Sequence, residues 1–599
     1  MRLPYAKADF KDLITGGYYY CDRTDLIPRI DNIGDSLLFL RPRRFGKSLL
    51  LSMLENYYDI AKKDMFEQLF GHLKISKNLT KLCSSYFILK FDFSYVSSAG
   101  TIKDIQQSLY NHVNESIKRF MIKYKNVIPG KVDINPYDAL SSLYSLFSMM
   151  QECDHPVYLL IDEYDNFANE LMLLTSPSSL DESLYLAAVT KDGPLRTLFK
   201  VIKGEANSSG FAKTFITGVT PVVMSDITSG YNIAENIYND RIFNGLCGFY
   251  QNEVEELLRQ VYRYCNINIH DDSFNNTMLL IKKYFNGHKF SLRAKENIYN
   301  PTAVIYFLKQ FIKECEPPRE MMDNNLAVDE QKIEYVSDLS LGKEKVFDLS
   351  EKNSKIEISS LQQRFGVRDL LNDDSKDSMF IMSYLYYSGA LTIFDETSQG
   401  YMLLHIPNLI MKSLYINRIL RIMFPEPGNR DNGLLAGKAL FTAGNIKPVC
   451  DFMEKETFKV FSNRDYAWAN ELTIKTAFLS LLYNDILYIM DSEKEINKSY
   501  IDLTMIIRPD KRHFEIFDIL IEFKYVKLSK AKLSAKEAKK LTKKALKELP
   551  CIKDAMDKAK KQARSYSGRL NKKYKNLKLK SFAVVSFGFE RICWEKAIF

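Results

Sequence analysis

The apolar run Ser36-Leu37-Leu38-Phe39-Leu40 has the length of one buried strand. It passes into Arg41-Pro42-Arg43-Arg44-Phe45-Gly46-Lys47-Ser48, and an apolar helical pattern follows over residues 49–58. Strand, basic glycine turn and helix in that order put the turn at a helix N-terminus. Unpaired backbone N–H groups and the helix dipole favour an anion there. Gly46 lets the backbone approach a phosphate closely. Lys47 is spaced to reach β- and γ-phosphates, and the Ser48 hydroxyl to ligate Mg²⁺, with Arg43 and Arg44 adding positive charge beside them. The usual spacing of such a loop puts a first glycine at position 41, where this chain has arginine.

Further apolar runs at 86–93, 157–161 and 211–219 alternate with helical stretches. This alternation predicts an α/β domain over residues 1–310. The run at 157–161 ends in Asp162 and Glu163. Beside a phosphate loop, the first acid is expected to hold Mg²⁺ and the second to polarise an attacking water. Asp165 lies close enough to share the metal's field. Thr217, near the end of the last run, is placed to orient water or contact the γ-phosphate. Arg196 and Arg241 are candidate arginine fingers only by their proximity to polar strand ends.

A chain of 599 residues is too long for one core. Residues 316–355 are charged, with Pro317 and Pro318 near their start, and read as a linker or loosely packed connector. Helix, hairpin and helix are then predicted at 377–388, 391–405 and 407–419, the order of a winged-helix-like module, which gives a middle region of 311–440. A second α/β pattern fills 441–599. It has a helix at 470–484, strands near 500–507 and 514–523 joined by a polar turn at 508–512, a long basic helical stretch and a strand at 581–587.

Within that second pattern Asp502 opens a strand, and Glu522 and Lys524 are two apart on the next, so they share a face. Two carboxylates on adjacent strands offer hard oxygens to Mg²⁺. The metal would activate water, and Lys524 would steer it or stabilise the pentacovalent phosphate. Glu471, near the start of the preceding helix, is a further candidate ligand. Residues 527–580 carry 20 Lys and Arg against four acids in a chain of net charge +9, which favours a polyanion such as DNA or RNA. Gln562 and Tyr566, four apart, are expected on one face of the basic helix.

Nine dispersed cysteines without a CxxC pair suggest reduced thiols in a cytosol-like compartment. No stretch of 18 apolar residues and no apolar leader at the N-terminus are found, so a cytoplasmic or nuclear protein that does not span a membrane is expected.

Together these stretches resemble a family that joins an AAA-ATPase-like domain to a PD-(D/E)XK nuclease domain. The resemblance is carried by Leu3-Pro4-Tyr5, Gly17-Tyr18-Tyr19-Tyr20-Cys21-Asp22-Arg23-Thr24, the phosphate loop, the segment from Ile161 to Asp165 and Thr217-Gly218-Val219. It continues through Tyr284-Phe285-Asn286-Gly287, Tyr299-Asn300-Pro301, Tyr387-Ser388-Gly389-Ala390-Leu391-Thr392, Ile406-Pro407-Asn408, Asp502 and Glu522-Phe523-Lys524. The fold it implies is multidomain α/β: a P-loop NTPase (AAA-like) parallel-sheet domain, a helical and winged-helix-like middle, and a restriction-endonuclease-like α/β domain. It implies ATP and Mg²⁺ as cofactors, DNA or RNA as partner, room for a homo-oligomer, and a role in genome defence, mobile-element biology or host interaction. Three functions are expected from these residues: an ATP-binding and hydrolysing protein coupled to a metal-dependent nuclease, a nucleotide-gated binding module whose catalytic sites are degenerate, or a nuclease-only protein whose P-loop domain is a scaffold.

Overall fold

The computed structural model describes residues 1–166, 193–207, 210–221, 233–270, 272–323, 330–339, 341–350, 355–363, 377–461, 471–490, 502–574 and 576–597. The first sheet is built from β1 (Ser36–Leu40), β2 (Phe87–Asp92), β3 (Val157–Asp162), β4 (Phe211–Gly218) and β5 (Glu235–Asn236). Their order is β2-β3-β4-β1-β5, and every neighbouring pair is parallel. A parallel sheet covered on both faces needs apolar side chains at every position. Accordingly all of β1 and β3 is buried. Leu38, Leu89 and Leu159 enter the core on one face, and Leu37, Ile88 and Leu160 enter the core on the other. The helix Lys47–Tyr58 follows β1, and Ile102–Lys123 follows β2, started by a capping box between Thr101 and Asp104.

Helices Gln251–Tyr264, Asp272–Phe285 and Pro301–Glu314 pack beside this sheet. Cys265 and Cys315 end the first and third of them and form a disulfide, with Cα atoms 5.7 Å apart. The expectation of wholly reduced thiols is therefore corrected. The two cysteines are 50 residues apart in sequence, and only the docking of the two helix ends brings them together.

The expected linker is corrected as well. Glu330–Asp338 and Gly342–Ser350 are helices whose Ile333, Val336, Val346 and Phe347 are buried. A few apolar residues at helical spacing form a narrow core stripe among the charges, and the charged faces stay in water. Arg418 fastens the first of these helices to Leu409–Met423 through Glu334 at 2.7 Å and Asp338 at 2.5 Å. The expected helix, hairpin and helix are present as Ser378–Tyr387, β7 (Thr392–Glu396) with β8 (Met402–His405), and Leu409–Met423. A third strand, β6 (Ile356–Ile358), pairs with β8.

The C-terminal sheet has the order β13-β12-β11-β10-β9, from β9 (Tyr488–Ile489), β10 (Leu503–Ile507), β11 (Asp518–Val526), β12 (Leu579–Phe587) and β13 (Arg591–Lys596). Only β11 and β12 run parallel; the other pairs are antiparallel. The basic stretch is three helices rather than one: Ala535–Lys540, Lys543–Glu548 and Pro550–Lys573. Thr542 caps the second, and Pro550 opens the third, where a missing N–H costs nothing. Tyr566 is buried with Leu520 and Leu570, while Gln562 is exposed, so the two do not share a working face. Among the described residues no helix is long and apolar enough to cross a membrane.

Candidate functional site

The C-terminal ends of β1, β3 and β4 lie along one edge of the first sheet, where open α/β sheets present ligands. Gly46 caps the helix Lys47–Tyr58 at φ +96°, a left-handed conformation that suits glycine, with open space where a Cβ would stand. Arg44 is also left-handed, at φ +67°. The Lys47 ammonium donates to the carbonyls of Arg41 at 3.0 Å and Pro42 at 3.3 Å. Burial lowers its pKa, while Asp162, Glu163 and Asp165 act to raise it. Ser48 is half-buried and lines the same cleft.

Arg41 points away from the loop. Its guanidinium donates to the carbonyls of Leu40, Tyr238 and Phe243 at 2.7–2.8 Å and lies over the rings of Phe39 and Phe290. The departure from the usual glycine is thus a core anchor, and burial lowers its pKa to about 10.

Asp162 is buried at the end of β3, and Thr217 Oγ1 donates to its Oδ1 at 2.5 Å. Thr217 is therefore committed to positioning this acid. Glu163 has φ +49°, a strained conformation for a non-glycine residue. Burial raises its pKa, opposed by Lys47 and Arg43. Asp165 is taken up by structure: it accepts from the backbone N–H groups of Val219 and Thr220 and from the Thr220 hydroxyl. A cleft of about 300 Å³ is lined by Arg44, Gly46, Lys47, Ser48 and Glu163, with Tyr5, Tyr19, Phe249 and Ile305 forming an aromatic and apolar part. Tyr5 and Tyr19 belong to the stretches Leu3-Pro4-Tyr5 and Gly17–Thr24 that carry the resemblance, whereas Phe249 and Ile305 come from distant segments that the sequence does not mark. Arg241 is exposed in a short turn and is not among the cleft residues, and Arg196 sits half-buried near the start of Pro194–Asn207.

In the C-terminal sheet Leu503 pairs with Ile521, and continuing that register one step sets Asp502 opposite Glu522. Asp502 Oδ2 accepts from the Phe523 N–H at 2.8 Å. On β11, Leu520 and Val526 enter two apolar clusters with the helix Pro550–Lys573, and Glu522 and Lys524 interrupt that row between them. Lys524 Nζ lies 3.0 Å from Glu522 Oε1, and Glu522 Oε2 is buried without a partner. Burial and Asp502 push the pKa of Glu522 up to about 7 against the pull of Lys524 and Lys475. Lys475, on the helix Glu471–Leu482, lies 2.9 Å from Asp502 Oδ1 and escaped the sequence reading; its one signal is a charge inside an otherwise apolar helical run. Glu471 opens the same helix, but its side chain lies outside the described residues, as do Ser499, Tyr500 and Ile501. Among the described residues no three His, Cys, Asp or Glu side chains cluster as a metal site. Two opposed carboxylates and one unpartnered buried oxygen fit a hard divalent ion that keeps much of its water.

The basic helices are partly self-neutralised: Lys543 pairs with Asp451, and Lys547 and Lys560 both pair with Glu595. Lys553, Lys561, Arg564, Lys572 and Lys573 remain exposed along Pro550–Lys573. The expected polar turn at 508–512 lies between the antiparallel strands β10 and β11, with a single helical turn at Pro509–Lys511, but its first residue is not in water. Arg508 is fully buried and donates to the carbonyls of Pro318, Arg319 and Asp485.

The two sites are joined by a short segment. Phe45 of the phosphate loop packs edge-on against His288 and Phe290, at centroid distances of 5.0 and 5.3 Å. A Cβ on Gly389 would meet Pro42 at 2.7 Å. Four residues before His288, the Tyr284 hydroxyl donates to the carbonyls of Asp485 at 3.1 Å and Tyr488 at 3.2 Å. Tyr488 belongs to β9, which pairs with β10, the strand that Asp502 immediately precedes. Gly287, at φ +112°, lies so close to Pro407 that a Cβ would overlap its carbonyl oxygen.

A curated relative, an uncharacterized protein in the vnfD 5′ region of Azotobacter chroococcum mcd 1, is 24% identical over 311 residues, 52% of each chain. The chain thus spans about half the length of that relative. Among solved structures, the Walker-type ATPase PABY2304 of Pyrococcus abyssi aligns at TM-score 0.35 and 13% identity, over 69% of this chain and 98% of that one. The Cdc6p of Pyrobaculum aerophilum aligns at TM-score 0.27 and 12% identity, over 67% and 97%. The Orc1 protein of Aeropyrum pernix, solved in complex with DNA, aligns at 0.23 and 10%, over 69% and 92%. The family described as predicted AAA-ATPase matches residues 4–228, and the PD-(D/E)XK nuclease superfamily matches residues 469–595, so this chain carries an AAA-ATPase-like domain followed by a PD-(D/E)XK nuclease-family domain.

Proposed function

We propose that this chain binds ATP with Mg²⁺ at the phosphate loop and uses the bound state to regulate a metal-dependent DNA or RNA nuclease in its C-terminal domain. The observation that carries this reading is the segment from Tyr284 to Phe290, which touches the phosphate loop at one end and the backbone of the nuclease sheet at the other. The working division is 1–310 for the ATPase-like part, 311–440 for the middle and 441–599 for the nuclease part.

In the first site the Gly46 turn and the helix N-terminus receive phosphate, and Lys47 exchanges its carbonyl partners for phosphate oxygens. Thr217 keeps Asp162 in its rotamer, and Glu163 orients the attacking water. In the second, Asp502 and Glu522 would hold a divalent ion, which when bound would supply an activated water and neutralise charge developing on the phosphodiester. Lys524 faces the same space, and the exposed lysines of Pro550–Lys573 supply phosphate contacts.

The test incubates the full chain with single- and double-stranded DNA and RNA, with Mg²⁺ or Mn²⁺, and with or without ATP. Cleavage that depends on the metal and changes with ATP is expected, as is binding that weakens steeply with salt. Glu163→Gln should keep ATP bound and slow its turnover roughly 10²-fold. Nucleotide and nucleic-acid binding without turnover of either would turn the reading towards a nucleotide-gated binding module. The internal lysine partners of Asp502 and Glu522 are the observation that favours that second reading.

A further inference from the structure

Three of the four oxygens of the Asp502 and Glu522 carboxylates have partners within the chain. Lys475 Nζ holds Asp502 Oδ1, the Phe523 N–H holds Asp502 Oδ2, and Lys524 Nζ holds Glu522 Oε1. Glu522 Oε2 alone has none. A divalent ion bound by both carboxylates would have to draw on an oxygen of Asp502 that already has a partner. Lys524 is held twice, since it also donates to the Phe523 carbonyl at 2.9 Å. The Phe523 N–H is fixed in the backbone of β11. Lys475 comes from a separate helix rather than from β11 itself and is 24% exposed, so its amine has a path to water.

We propose that Lys475 is a resident counter-cation of Asp502, a positioning residue that holds this carboxylate ready in the metal-free state and is displaced when a divalent ion binds. It thereby sets the metal concentration at which the site loads. The inference rests on the metal-dependent reading of the C-terminal site and adds its regulation. The charged contact between Lys475 and Asp502, 2.9 Å long, has to be given up before a cation takes that oxygen, and losing such a contact opposes the competing cation about tenfold.

The test is calorimetric titration of the full chain with Mn²⁺, without nucleic acid. Lys475→Met should bind Mn²⁺ about tenfold more tightly than the wild type, and Lys475→Arg, which keeps the charge, should stay within about twofold of it. Should the methionine variant not fold, Lys475→Gln takes its place, with far-ultraviolet circular dichroism confirming the fold. As a second readout, the Mg²⁺ concentration for half-maximal cleavage should fall in Lys475→Met by a similar factor. Equal or weaker Mn²⁺ affinity in the uncharged variants overturns the inference. If Asp502→Ala/Glu522→Ala abolishes wild-type Mn²⁺ binding in that case, the metal site itself stands. Mn²⁺ binding that survives the double substitution overturns the metal site, and the inference with it.

Discussion

At the phosphate loop the ammonium of Lys47 rests on two uncharged backbone carbonyls, whereas at the C-terminal sheet Lys475 and Lys524 rest on the acids proposed to hold a metal. The first site is built mostly from backbone: a helix N-terminus, the left-handed Gly46 and strand ends set by a parallel sheet. On the proposed reading such a site would give up only contacts to neutral carbonyls when a phosphate arrives, and its fold accommodates a side-chain departure such as Arg41. The second site is built from side chains whose charges are mostly met within the chain, Glu522 Oε2 excepted. On the proposed loading it would exchange one cation for another, which would make it more sensitive to single substitutions.

The sharpest way to break this comparison is to remove a carboxylate. Asp502→Ala or Glu522→Ala should lower nuclease turnover roughly 10³-fold, several kcal/mol of lost charge stabilisation. A cleavage assay showing the wild-type rate in both variants would move the chemistry elsewhere.

Next comes Arg41→Gly, which restores the glycine of the usual spacing. It should destabilise the ATPase-like domain by about 3–5 kcal/mol, because three carbonyls lose their donor and a cavity opens against Phe39 and Phe290. Denaturant unfolding measures this. A neutral result would mean that the loop, and not the core, needs the arginine.

Lys47→Ala should weaken ATP binding about 10- to 100-fold, the scale of lost charged hydrogen bonds, and leave the fold intact. Calorimetry with equal affinities would contradict the phosphate-loop assignment.

The smallest effect tests the joint between the sites. His288 is buried between Phe45 and Phe290, its Nδ1 is unpartnered, and burial with His405 nearby pushes its pKa down to about 3. A histidine whose folded pKa is depressed contributes stability that is present above its ordinary value near 6.5 and lost as pH falls towards the folded value. Thermal stability should therefore decline between pH 6.5 and pH 4 through this group. His288→Phe should flatten part of that decline, and a slope identical to the wild type would remove His288 from the account.

How much was legible differed between the regions for a physical reason. β1, β3 and the turn between β1 and its helix stand out because a fully buried parallel strand reads as an unbroken apolar run and a phosphate loop is contiguous in sequence. The pair Glu522 and Lys524 was legible because residues two apart on a strand share a face. Lys475 was not, because nothing local marks a helix lysine that reaches across to another element's aspartate. Helices 330–338 and 342–350 were read as linker because their apolar stripe is narrow and their charge high. The Cys265–Cys315 pairing was misjudged because cysteine spacing says nothing about which helix ends meet.

By itself the sequence determined what contiguous residues can encode: the glycine turn of Gly46-Lys47-Ser48 at a helix start, the acid-tipped strand at Asp162-Glu163, and a carboxylate and lysine on one face of β11. Those features follow from local backbone geometry and the period of a strand. Only the tertiary structure decided that Arg41 is a core anchor, that Thr217 serves Asp162, that Arg508 is buried under Pro318 and Arg319, and that Lys475 answers Asp502. Each of these is a charge or hydrogen-bond balance between segments far apart in the chain. Burial obliges polar groups to find partners, and which partner is in reach depends on the packed fold.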